Sequence, residues 1–208
     1  MYQTPDILAE RRAIGIPARA HETLFIKGEP SSCLFEVRRG VARAVHYSAE
    51  GDRQVMAFFF PGDVLGLPLT RRHRYSAEAA SDMIFTRLPS RDCQPGNSFP
   101  ATRDTTVSRA IWQEEKSFMT RGLIIGRVGY LARVAAFVNY VAKHLPMTDE
   151  TLEFPIPRGD IASYLATSPE TICRTLRQLR EMQIIAMPRL DRLQVKDPSR
   201  LAQIAGGP

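Results

Sequence analysis

Thiols, lysines and long apolar runs are scarce in this chain. Its three cysteines, Cys33, Cys93 and Cys173, are odd in number and far apart, so no disulfide framework and no paired-thiol zinc or redox motif can be read from them. The longest apolar run, Val55–Pro61, falls far short of the ~18 residues a membrane helix needs, and no membrane partner is expected. Met1–Asp6 lacks a basic region leading into an apolar one, so the expected location is cytoplasmic. There is no glycine-rich phosphate loop, and Ser76 with Glu78 is too local for a hydrolytic triad. The four histidines, His21, His46, His73 and His144, are isolated. These absences argue against an enzyme and against a haem or other cofactor.

The charge that is present is basic and mostly arginine. A net +6 over 208 residues suits a nucleic-acid partner without identifying one. Cations exceed anions by 13 to 11 in residues 1–98, by 7 to 5 in 99–150 and by 8 to 6 in 151–208. With no basic tail, any DNA site must be built by local placement. Only Lys27, Lys116, Lys143 and Lys196 are lysines, and arginine favours planar, bidentate recognition over diffuse attraction.

Three regions follow one another. Between residues 20 and 90, Gly28, Gly40, Gly51 and Gly62 recur at intervals of 12, 11 and 11, separating the β-prone runs Cys33–Val37, Val41–Tyr47 and Gln54–Phe60, with Met83–Leu88 after them. Turn signals at that interval predict a sandwich or barrel of short antiparallel strands. From Ala101 to Leu145 the chain is free of proline, and Val107, Ile111, Phe118 and Ile125 form a narrow apolar seam at helical spacing, suited to pairing with a second copy. Charged Glu114 and Arg121 interrupt it, and Gly122, Gly126 and Gly129 end or bend the helix. A second amphipathic helix runs from Leu131 to Leu145.

Pro146, Pro155 and Pro157 then mark a linker. Beyond it, Arg158–Leu165 reads as a short helix, Ala166-Thr167 as a turn and Ser168–Gln183 as a second helix, with Ser168 as N-cap and Pro169 at the first helical position. Ile184–Met187 and Leu193–Val195 make a small β wing, and Asp197–Ile204 a closing helix. Helix, tight turn, helix and wing is a DNA-reading arrangement. On a helical wheel Ile172, Leu176, Leu179 and Met182 share one side, while Glu170, Cys173, Arg174, Arg177 and Glu181 share the other. That polar side is either a solvated face with Glu170–Arg174 and Arg177–Glu181 pairing, or a face that reads bases: Arg on guanine, Glu on cytosine. Ser163, Ser168 and Thr171 are placed to bond phosphates.

Ile156-Pro157-Arg158-Gly159-Asp160-Ile161-Ala162, followed by Tyr164–Arg174, resembles the helix-turn-helix of the Crp/Fnr family of bacterial transcription regulators. Phe25–Glu29, Leu34–Val37 with Gly40, Gly51–Gln54 and Phe60–Gly66 resemble that family's β-roll, and Tyr75–Ala79 with Ile125–Arg127 ahead of Arg133 is more similar to its Fnr and FixK branch. The resemblance covers roughly residues 20–201. It implies an α+β chain with an antiparallel, cyclic-nucleotide-binding-like β-roll (1–98), a dimerisation helix with the helix after it (99–145) and a winged helix-turn-helix (146–208). It further implies a homodimeric regulator, an activator touching RNA polymerase, on a palindromic double-stranded TTGA-type site. Glu170 and Arg174 match the family's base-reading pair, Pro169 stands at a variable specificity position, and Arg177 extends the same face. Cys173 replaces a usual serine and is a candidate redox switch, since an oxidised sulfur would set bulk and negative charge against DNA. Ala166 replaces the turn's usual glycine and costs on the order of 1 kcal/mol if its φ is positive.

A cyclic-nucleotide site in this family needs a Gly-Glu pair and an Arg-Ser or Arg-Thr pair. Here Leu67 follows Gly66, Tyr75 precedes Ser76, and Arg74 is one place off, which in a strand turns it to the opposite face. An Fnr-type iron–sulfur cluster needs four cysteines, three near the N-terminus, and the first 32 residues have none. The expectation is therefore regulation without either effector. The alternatives are a cyclic-nucleotide-dependent regulator, or a ligand-responsive protein acting through protein contact.

Overall fold

Glycine turns set the strand register at the N-terminal end. In the computed structural model, which describes residues 15–31, 33–67, 72–89, 105–148 and 150–206, the four spaced glycines all have positive φ. Gly40 shows why: at φ +81° a Cβ would lie 2.4 Å from the Asp82 carbonyl oxygen, so the tight connection from Arg39 to Val41, which carries the chain from one sheet to the other, closes only with glycine. The strands are β1 (Ile16–Ala18), β2 (Thr23–Phe25), β3 (Cys33–Arg39), β4 (Ala42–Tyr47), β5 (Arg53–Phe59), β6 (Val64–Leu65), β7 (Ser76–Ala79) and β8 (Met83–Pro89). They form two antiparallel sheets, ordered β1-β8-β3-β6 and β2-β7-β4-β5. Phe25, Phe35, Val37, Ala57, Phe59 and Phe85 fill the space between them.

The second sheet is buried on both faces. Ala42, Ala44, Ala57 and Phe59 point into the roll, whereas Val41, Val45, Val55 and Phe58 point outward into another core shared with the C-terminal half. A strand covered on both sides needs apolar residues in succession, which accounts for the run Val55–Pro61.

Two helices follow, α1 (Thr105–Ile125) and α2 (Tyr130–Ala142), separated at Gly126–Gly129. Val107 is 2% exposed and packs with Leu34, Val64 and Leu67, while Phe118 meets Tyr75 edge-on at 5.5 Å. Both were expected on the pairing seam, and both are committed to this chain's own β-roll. Ile111 sits at the edge of the outward face and Ile125 is half-buried. The outward apolar stripe is instead Trp112, Met119 and Leu123, at 61, 60 and 67% exposure. Cys93 and the expected boundary at residue 98 lie outside the described residues.

Helix α2 packs through Val134, Phe137, Val138 and Val141 into the core holding α3 (Arg158–Tyr164), α4 (Pro169–Glu181) and α5 (Pro198–Ile204). It had been grouped by sequence with the dimerisation helix. Around this core lies a third sheet, β11-β12-β10-β9, made from β9 (Met147–Thr148), β10 (Thr151–Glu153), β11 (Ile185–Arg189) and β12 (Arg192–Val195). The proline-rich linker thus contributes two strands that composition did not suggest. Among the described residues no helix is long and apolar enough to cross a membrane.

The two halves are joined by buried charge. Arg43 of β4, 2% exposed, pairs with Glu78 of β7 and with Asp160 of α3, and Arg53 of β5 bridges the same two carboxylates at 2.8 and 3.0 Å. Ser163 of α3 accepts the Val55 N–H at 2.8 Å, and Arg121 of α1 donates to the Tyr164 carbonyl at 2.9 Å.

Candidate nucleic-acid interface

Backbone geometry at the end of α3 aims α4. Ala166 has φ +51°, its N–H bonds the Ser163 carbonyl, and the Thr167 N–H bonds the Ala162 carbonyl at 2.9 Å. This is a Schellman stop, in which the left-handed residue satisfies the last carbonyls of one helix and turns the chain sharply toward the next. The expected strain at Ala166 is therefore real. Helix α4 then begins as the sequence proposed: the Ser168 hydroxyl accepts the Thr171 N–H at 3.3 Å, and Pro169 occupies the first turn.

Helical periodicity divides α4 into two faces. Ile172, Leu176 and Leu179 are buried and Met182 is half-buried, which anchors the helix on the core. Glu170, Cys173, Arg174 and Arg177 are exposed, beside exposed Ser168 and Pro169 and half-buried Thr171. A merely solvated face would carry the Glu170–Arg174 and Arg177–Glu181 pairs, and among the described residues neither pair forms. Both guanidiniums are free to take bidentate acceptors. The Glu170 carboxyl lies below the ordinary glutamate value because its own backbone N–H and the Ser168 hydroxyl bond it at the helix N-terminus.

Ser163 does not join this surface. Its hydroxyl faces the β-roll and bonds Val55, so the phosphate contact expected of it is unavailable. Arg158, which sequence reasoning passed over, does shape the surface. It donates to the Leu190 carbonyl at 3.2 Å and stacks over Phe154 at 5.3 Å, tying the start of α3 to the wing tip. Burial pushes its pKa down. A cleft of about 410 Å³ between α4 and the wing is lined by Arg158, Cys173, Arg177, Arg180 and Met187. The sequence cues to Arg158 were its place just after Pro157, at the helix start, and within the Ile156–Ala162 motif.

The effector side also departs from expectation. Arg74 and Tyr75 precede β7 instead of lying within it, so strand alternation does not separate them. Both reach Glu114 of α1: Arg74 Nη2 at 3.0 Å and the Tyr75 hydroxyl at 2.8 Å.

Two domain families match the chain: the cyclic nucleotide-binding domain over residues 16–94 and the Crp-like helix-turn-helix domain over residues 132–204. The nitrogen fixation regulation protein FixK of Azorhizobium caulinodans is 29% identical, with 92% of this chain and 80% of that protein covered. The transcriptional activatory protein AadR of Rhodopseudomonas palustris is 28% identical over 94% of this chain and 83% of its own length. Among solved structures, FixK2 from Bradyrhizobium japonicum superposes with a TM-score of 0.79 at 28% identity, covering 92% of this chain and 96% of that one.

Proposed function

The chain belongs to the Crp/Fnr family of DNA-binding transcription regulators, and on that premise we propose that it acts as a homodimeric activator on a palindromic TTGA-type site. In this reading Arg174 and Glu170 read base edges, while Ser168, Thr171 and Arg177 hold phosphates. Pro169 and Cys173 fill the floor between them. The observation that carries the reading is the exposed Glu170–Arg174–Arg177 face, without ion pairs among the described residues, on a helix capped by Ser168 and flanked by the wing.

The second copy docks along Trp112, Met119 and Leu123, with Ile111 at the rim. An outward apolar stripe on the helix between two domains is what a two-fold partner would cover. We place the boundary between the two domains at Gly126–Gly129, a reading supported by the packing of α2 on α4 and α5. The regulator works in the cytoplasm without catalysis and without cyclic nucleotide or an iron–sulfur cluster, and contacts RNA polymerase when it activates.

Binding to a duplex with TTGAT and ATCAA half-sites, centres about one helical turn apart, tests the reading. The expected result is a specific complex at moderate salt that a scrambled duplex does not compete away. Absence of any sequence-specific complex would favour a regulator acting through protein contact.

A further inference from the structure

Glu114 is a buried acid that the helix could do without. It lies in the middle of α1 at 1% exposure, against the β-roll, where an apolar side chain would fill the same space without a desolvation penalty. Burial pushes its carboxyl above the ordinary value, against the pull of its donors.

Those donors converge from elsewhere in the sequence. One carboxylate oxygen accepts the backbone N–H groups of Gly66 and Leu67, each at 2.8 Å, together with the Tyr75 hydroxyl at 2.8 Å. The other accepts Arg74 at 3.0 Å. The consecutive amides face one point because Gly66 has φ +94°, and a Cβ there would lie 2.9 Å from the Phe35 ring. The Tyr75 hydroxyl also accepts the Gly66 N–H at 3.1 Å, which fixes it on the loop. Two adjacent amides, a phenol and a guanidinium form an oxyanion cradle, since every group in it donates.

We infer that Gly66, Leu67, Arg74 and Tyr75 form a binding site for a small carboxylate, and that Glu114 fills it as a ligand tethered to the chain. A tethered ligand faces its site at an effective concentration that a diffusing metabolite rarely matches. It also locks α1 to the β-roll. The same helix presents Trp112, Met119 and Leu123 outward and holds α3 through Arg121, so the tether sets where both stand. That consequence for DNA binding rests on the function proposed above, whereas the site itself does not.

Removing the tether and supplying its head group separately tests the inference. In Glu114→Ala the thermal midpoint is expected to fall by about 5–10 °C. Sodium formate should recover at least half of that loss, sodium chloride at equal ionic strength should not, and wild type should ignore both. In Glu114→Ala/Arg74→Ala the recovery should vanish. An alanine variant as stable as wild type, or formate acting equally on both proteins, would overturn the inference. If the alanine variant does not fold even in formate, Glu114→Gln decides, being neutral and equal in size. A wild-type midpoint in that variant overturns the inference, whereas a lowered midpoint or failure to fold supports it. These midpoints need no DNA, so a failed rescue and a failed DNA-binding assay are separate results.

Discussion

The guanidinium of Arg43, buried on the β-roll face that meets the C-terminal half, is ion-paired with the carboxylate of Asp160 on the first helix of the helix-turn-helix. The residues are 117 positions apart and both are buried. Breaking a buried pair by removing one partner is costly because the other charge is left without solvent or counter-ion. Asp160 therefore makes the orientation of the DNA-reading unit depend on the β-roll surface. Glu78 balances the second charge, since Arg43 and Arg53 both bond it.

Acid should release this junction over a defined range. Burial raises the Glu78 pKa, but hydrogen bonds from Arg53, Tyr47 and Arg43 outweigh it and hold the carboxyl at about 2, below its ordinary 4.5. A depressed folded-state pKa contributes stability that is complete above the unfolded value and lost as pH falls toward the folded one. Denaturant unfolding should show wild-type stability declining from about pH 4.5 toward 2. Glu78→Gln should start lower at neutral pH and decline less steeply, and equal slopes would contradict the assignment.

How far the sequence could be read differs by region. The glycine turns and the α4 cap with its two faces are local features, so spacing and residue type found them. Helix α1 was harder. Val107 and Phe118, eleven residues apart, share a helical face because they pack on the chain's own β-roll, yet Trp112 and Met119, seven apart, are just as regularly spaced. Periodicity reveals a face and not what covers it. Glu114, Arg74 and Asp160 were illegible for a related reason: each acts through a partner distant in sequence, and Glu114 looked like a flaw in the seam.

The two faces of α1 predict opposite phenotypes. Met119→Glu would place like charges across the proposed two-fold axis and should give a folded monomer by sedimentation, with much weaker DNA binding as avidity is lost. Phe118→Glu should instead destabilise the β-roll by about 3–5 kcal/mol, as expected for losing a packed aromatic. A fully dimeric Met119→Glu protein would mean that another surface pairs.

At the turn, Ala166→Gly should stabilise the protein. Relief of left-handed strain is worth about 1–2 kcal/mol, and the greater freedom of glycine when unfolded returns about 0.4–1. The expected net gain, about 1 kcal/mol or less, is read from the denaturation midpoint. A loss of stability would contradict the φ assigned to Ala166.

Cys173 stands exposed on the proposed DNA face, between Glu170 and Arg174. Peroxide oxidises an accessible thiol first to a sulfenic acid, which adds bulk there. DNA binding by wild type should fall after peroxide and return with a thiol reductant, while Cys173→Ser should bind normally and be indifferent. A serine variant that remains sensitive would exclude this cysteine as the switch.

Base reading by Arg174 is the central claim, and binding of wild type and Arg174→Ala to the palindrome and to each of its single-base-pair variants tests it most directly. The variant should lose about 1–3 kcal/mol on the intact site, lose discrimination at one base pair of each half-site, and lose less on unrelated DNA, where phosphate contacts remain. Unchanged affinity together with an unchanged pattern of base preference would contradict the account.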